Sequence, residues 1–141
     1  MNFKIDPRLA ADTEGVGEMA LSRVLLMDDV RFPWLILVPR IAGARELIDL
    51  DASDQTSLLA EVVTVGRALE DMVQPEKLNI AALGNVITQL HVHVIARFSN
   101  DAAWPQPVWG CGKRKPYTVQ SRRQRVAALR AALRNSIDVT E

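Results

Sequence analysis

The chain has 141 residues, 48% of them hydrophobic, and its 17 basic and 17 acidic side chains cancel. That length suits one domain with a real core, and zero net charge excludes a strong global attraction to nucleic acid or to an anionic membrane. Cys111 is the only cysteine, which excludes a disulfide framework within the chain. No apolar run approaches a membrane span, and the N-terminus lacks a basic segment followed by an apolar stretch. A cytoplasmic protein forming one domain over 1–141 is the expectation.

Residues 1–18 are acidic, contain Gly15 and Gly17, and read as extended or irregular. Met19 to Met27 reads as a strand. Asp28-Asp29-Val30-Arg31-Phe32-Pro33 is a turn signal of paired aspartates followed by proline. Trp34 to Val38 is a continuous apolar run bounded by Pro33 and Pro39, which suits a central strand covered on both faces, with Trp34 in the core. The two strands are expected to form an antiparallel hairpin. Asp51 is a good N-cap, and Leu58, Val62, Val65, Leu69 and Met72 recur at helical spacing. They predict a helix over 52–73, stopped by Gln74-Pro75. Leu78 to Leu83 reads as a strand, Gly84-Asn85 as a turn, and Gln89 to Phe98 as a further strand. Residues 99–117, with five Pro or Gly residues and the tryptophans Trp104 and Trp109, read as a long loop. Val119, Val126, Leu129 and Leu133 fit one face of a C-terminal helix. The order indicates an α+β fold with helices packed on an antiparallel sheet.

Gln89-Leu90-His91-Val92-His93-Val94 carries the chemistry. It holds the only two histidines of the chain. Side chains alternate on a strand, so Gln89, His91 and His93 are expected on one face, while Leu90, Val92, Val94 and Ala96 turn to the core. A neutral imidazole is a competent nucleophile toward phosphorus when one ring nitrogen is free and the other is held by a hydrogen bond, for instance to a backbone carbonyl. A second imidazole roughly 7 Å along the strand could touch the other side of the same phosphoryl group. From spacing alone, three readings stay open: phosphate chemistry, a two-ligand metal arrangement, or satisfied structural histidines. A catalytic metal usually takes three protein ligands, and no third is placed by spacing.

Gly84-Asn85-x-x-x-Gln89-x-His91-x-His93-x-x-x-Arg97 resembles the signature strand of the histidine-triad (HIT) superfamily, His-φ-His-φ-His-φ-φ with φ apolar. Upstream, Leu35-Ile36-Leu37-Val38-Pro39-Arg40 is similar to the family strand that ends in Pro-Lys or Pro-Arg. Glu46-Leu47-Ile48-Asp49-Leu50, followed by a long helix, is similar to its next segment. The resemblance covers about residues 19–98, with 99–141 falling in the variable tail. It implies a HIT-like antiparallel sheet with one long helix between strand pairs and a C-terminal helix. It further implies hydrolysis or transfer at a nucleoside α-phosphate through a nucleotidyl-histidine intermediate, with His91 as nucleophile and His93 as hydrogen-bond donor to the phosphate or the leaving oxygen. Gln89 stands where the family has its first histidine. Asn85 falls near the phosphates by resemblance, and Asp28 or Asp29 where relatives place a residue against the ribose hydroxyls. Arg97, on the histidine face, could bind phosphate or pair with a carboxylate. No cofactor and no metal are implied, and the partner is a nucleotide or nucleotide derivative. A homodimer is expected, because sheet edges and the 52–73 helix are available for pairing. A nucleotide-binding regulatory module with little turnover is the alternative, and a two-histidine metalloprotein a further one.

Two further features have two readings each. From Lys113 to Arg134 there are eight Lys or Arg residues and no Asp or Glu. Such a run serves an anionic ligand or is a solvated helix face. Trp104 and Trp109 either cover the site, stacking on a base, or anchor their loop.

Overall fold

The computed structural model describes residues 2–139. A short helix α1 (Pro7–Ala11) leads into strands β1 (Thr13–Glu18), β2 (Ser22–Met27) and β3 (Trp34–Pro39). The long helix α2 (Ala52–Val73) follows, then β4 (Lys77–Ala81), β5 (Val92–Arg97) and the C-terminal helix α3 (Val119–Ala132). All strand pairs are antiparallel, in the order β1-β2-β3-β5-β4.

The sequence expectations hold where periodicity is strong. Asp51 caps α2 by accepting a hydrogen bond from the Asp54 N–H at 2.8 Å, and the stripe Leu58, Val62, Val65 and Leu69 is buried. Gln74 ends the helix in the left-handed region, φ 50°. At Gly66 an added Cβ would lie 3.2 Å from the Leu78 side chain, so the missing side chain lets α2 sit close on β4. The strand expected over 78–83 is β4 at 77–81, and three further boundaries differ more. The stretch 1–18 is not irregular throughout but holds α1 and β1. Gly15 and Gly17 flank a register shift in β1, which erases the alternation a reader would look for. The second strand starts at Ser22 rather than Met19, because buried Glu61 on α2 accepts the Leu21 and Ser22 backbone N–H groups at 2.8 and 2.9 Å and holds the turn before it. The histidine strand begins at Val92 rather than Gln89, so residues 89–91 belong to the approach to the strand.

Both faces of the sheet are covered. On one, Val24, Leu26, Leu35, Leu37, Val92 and Val94 pack against α2 and α3. On the other, Leu25, Ile36, Trp34 and Ile95 pack under Ile5 and Leu9 from the N-terminal segment and Val108 from the loop after β5. The basic C-terminal stretch partly serves the fold. Arg114 lies 3.4 Å from Asp12 and 3.5 Å from Asp28, Arg122 3.6 Å from Glu14, and Arg130 Nε donates to the Val16 carbonyl at 2.9 Å. It clasps the acidic N-terminal strands.

Candidate active site at the head of strand β5

His91 and His93 are both buried, with ring centroids 4.9 Å apart, closer than the strand rise alone would set them because the rings lean toward each other. His91 Nδ1 lies 2.6 Å from the Gln89 carbonyl oxygen. A carbonyl only accepts, so Nδ1 carries a proton, and in the neutral ring Nε2 is the nitrogen that keeps its lone pair. His93 is held the opposite way. The Trp34 indole Nε1–H, which only donates, points at His93 Nδ1 at 2.9 Å. Nδ1 is therefore the acceptor, and the ring proton sits on Nε2. Burial, and secondly the neighbouring His91, push His93 down to about 3 from its ordinary 6.5, so it stays a neutral donor at physiological pH. Trp34 and Trp109 flank the His93 ring at 5.6 and 5.0 Å.

His91 opens onto a cleft of about 240 Å³. Its walls are the connection between β3 and α2, with Arg45, Glu46 and Ile48, and the loop after β4, with Leu83 and Gly84. Gly84 adopts φ 81°, a conformation that favours glycine. The connection is pinned from inside: Asp49 Oδ2 accepts the Arg45 and Glu46 backbone N–H groups at 3.0 and 2.9 Å. Those two bonds, Arg45's first, hold the Asp49 carboxyl below its ordinary range.

The remaining expected site residues have other neighbours. Gln89 lines the cleft, but its amide is engaged: Oε1 accepts from the Asp6 N–H and Nε2 donates to the Lys4 carbonyl, both at 2.8 Å. It ties the N-terminal segment down beside the histidines. That segment carries the Asp6 carboxylate, held below its ordinary range by the Arg8 side chain, then by the Arg8 backbone N–H, and in smaller part by His91. Asn85 is exposed, one residue beyond Gly84. Asp28 and Asp29 do not line the cleft. Asp28 accepts from the Tyr117 N–H at 2.9 Å, and Asp29 is bound by Arg31 and by the Lys115 N–H. They fasten the C-terminal segment. Arg97 is on the histidine face of β5, 2% exposed, and its guanidinium is committed to Asp101, Asn79 and the Gln106 carbonyl. Of its two readings the carboxylate pair is the one observed. Burial raises the Asp101 carboxyl, but the Arg97 bonds and three backbone N–H groups outweigh it and hold Asp101 well below its ordinary range.

Sequence reasoning missed two contributors. Trp34 was read as core, which it is, but its indole N–H also sets the His93 tautomer. Arg45 lies in a connection without periodicity. The only available signal was a cation shortly after Pro39-Arg40.

A five-stranded antiparallel sheet with paired imidazoles at the head of an inner strand is the arrangement of histidine-triad proteins. The sequence matches the HIT domain family over residues 8–100, and the chain belongs to that family. It is similar to the crystal structure of a histidine triad protein from Bradyrhizobium japonicum, with 45% identity, 94% of this chain and 98% of that chain covered, and a TM-score of 0.91. A histidine triad protein from Marinobacter aquaeolei VT8 gives 42% identity, 96% and 99% coverage, and a TM-score of 0.93. A diadenosine triphosphate hydrolase from Plasmodium falciparum, at 15% identity and a TM-score of 0.62, shares the fold. No curated protein matches the sequence. Among the described residues no helix is long and apolar enough to cross a membrane.

Proposed function

We propose that the protein is a nucleotide hydrolase or nucleotidyl transferase that acts at a nucleoside α-phosphate through a covalent intermediate on His91. The observation that carries this reading is the opposed hydrogen bonding of the two imidazoles: His91, which lines the cleft, has Nδ1 tied to the Gln89 carbonyl and Nε2 left over, and His93 has Nδ1 tied to the Trp34 N–H. In the first step the Nε2 lone pair of His91 attacks phosphorus, a P–N bond forms, and the bond from phosphorus to the leaving oxygen or nitrogen breaks. The leaving group keeps that electron pair and takes a proton from solvent. In the second step water or an acceptor hydroxyl attacks phosphorus, loses its proton to solvent, and the P–N bond breaks with its electrons returning to Nε2. The Gln89 carbonyl steadies the positive ring that forms at His91, since the Nδ1–H bond shortens as charge develops. His93 donates a hydrogen bond but no proton of its own in this pH range.

Intact-mass spectrometry after brief exposure to an adenylyl phosphoramidate or a dinucleoside polyphosphate tests the reading. A nucleotidyl adduct is expected on the wild type and absent from His91→Ala. Turnover that persists in His91→Ala rules out covalent catalysis by this residue. The alternative of a binding module with little turnover draws support from a neutral His93 and a Gln89 occupied elsewhere, and predicts nucleotide binding without an adduct. A metal centre draws no support from side-chain placement: among the described residues, no group of three His, Cys, Asp or Glu side chains is gathered.

We also propose a homodimer. Leu47, Ile48, Leu59 and Ile80 are exposed together along a groove between α2 and the outer strand β4, whose far edge has no strand partner in the sheet. Light scattering at tens of micromolar is expected to give twice the chain mass, and a monomer mass rejects the pairing.

A further inference from the structure

A phosphate or phosphate diester carries negative oxygens, and attack on its phosphorus adds to their charge. Something at the cleft has to hold them. The groups the family pattern brings to the strand are neutral here: His93 donates as a neutral ring, and Gln89 is an amide committed to the N-terminal segment. Three arginines around the site are engaged as well. Arg8 is bound to Asp6 and the Val86 carbonyl, Arg31 to Asp29, and Arg97 to Asp101. Arg45 differs from all of these. It lines the same cleft as His91, it is exposed, and among the described residues its guanidinium makes no hydrogen bond or ion pair. Its backbone is nonetheless fixed, since Asp49 grips the N–H groups of Arg45 and Glu46 together. A side chain free at its tip on a backbone held at its root is placed to close on a ligand. The planar guanidinium fork matches paired phosphate oxygens.

We infer that Arg45 is the phosphate-binding cation of this site, supplying the positive charge that Gln89 does not. The inference rests on the proposed chemistry at His91 for its meaning, but on the cleft alone for its existence. Glu46, the carboxylate of the same cleft, opposes it, so the anion lies on the Arg45 side, between that guanidinium and His91. Neutral nucleosides gain nothing from this contact, whereas nucleoside monophosphates and pyrophosphate gain fully.

The test is calorimetric titration of the full-length protein with AMP, adenosine and inorganic pyrophosphate, on the wild type, Arg45→Ala and Arg45→Lys. Arg45→Ala is expected to bind AMP and pyrophosphate on the order of 10- to 100-fold more weakly, the range of one charge-assisted hydrogen bond. Adenosine affinity is expected to be unchanged, and Arg45→Lys intermediate. Wild-type affinity for AMP retained in Arg45→Ala overturns the assignment and leaves the His91 chemistry standing. Equal loss of AMP and adenosine overturns it too, since Arg45 then only shapes the cleft. Pyrophosphate bound in an Arg45-dependent way, with AMP and adenosine not bound and no adduct at His91, upholds the anion site and removes the nucleotide reading. A wild type that binds neither AMP nor pyrophosphate overturns both.

Discussion

The two faces of the sheet are built to different rules. The α2 and α3 face is a regular layer of aliphatic side chains, with Val65 and Leu129 entirely buried and few polar groups among them. The histidine face is covered by irregular chain, and the polar atoms beneath it are nearly all in fixed pairs: Trp34 to His93, Arg97 to Asp101, Asp29 to Arg31. Burial of area holds both faces, and on the second directional bonds are added to it. Mutations on the helical face should therefore move stability alone, and mutations at the paired polar groups of the histidine face should move chemistry as well.

The sharpest contrast is His91→Ala against Leu69→Ala. The first is expected to lower turnover at least about 10³-fold with a small change in melting temperature. The second is expected to cost about 2–5 kcal/mol of stability by opening a cavity, with turnover per folded molecule retained. Denaturant melts and initial rates on both variants check the pair. Acid gives the next largest effect. Unfolded His93 takes a proton below pH 6.5, and folded His93 does so only near 3. Between these values the unfolded state binds more protons, so stability falls as pH drops, by roughly 1.4 kcal/mol per unit from this group. Chemical denaturation at pH 7, 6 and 5 should show that slope, and His93→Gln should reduce it there, above the range in which the lowered carboxylates add their own. Trp34→Phe keeps the bulk but removes the donor to His93 Nδ1. Turnover is expected to fall about tenfold as the ring loses its enforced tautomer, and ¹⁵N NMR of the imidazoles should show mixed forms. The smallest effect is at Gln89. A histidine there cannot accept from Asp6 and donate to Lys4 in the amide's geometry, so Gln89→His should cost about 1–2 kcal/mol. Faster hydrogen exchange at the Asp6 amide would report the released segment.

What could be read from the sequence follows the same division. The α2 extent, its cap and its buried stripe come from a 3.6-residue period repeated over about four turns, from Leu58 to Met72. The continuous run Trp34–Val38 correctly announced a strand covered on both sides. Two lone histidines two residues apart mark the candidate site, and a backbone carbonyl holds His91 in the way the proposed chemistry needs. The irregular covering was not legible. α1 and β1 escaped because two glycines and a bulge break the alternation. Asp28, Asp29 and Arg97 carry charges that suit a ligand, but whether a charge meets substrate or another charge depends on contacts 2 to 89 residues away in sequence. The tautomer of His93 depends on Trp34, 59 positions earlier. No local pattern records such pairs.

The two edges of the sheet are unequal. β1 is buckled shut: its Glu18 forms a two-way backbone bridge with Asp138, both bonds 2.8 Å, and Arg130 holds the Val16 carbonyl. β4 has no such cover. For the proposed dimer this leaves one edge on which strands could pair. A molecule with a single open edge pairs once and is then closed, whereas one with two open edges can add copies without limit. In the proposed dimer the tail that clasps β1 would act as a chain terminator, and removing residues 136–141 together with Arg130→Ala, which spares the buried Leu129 and Leu133, is expected to give larger particles in light scattering.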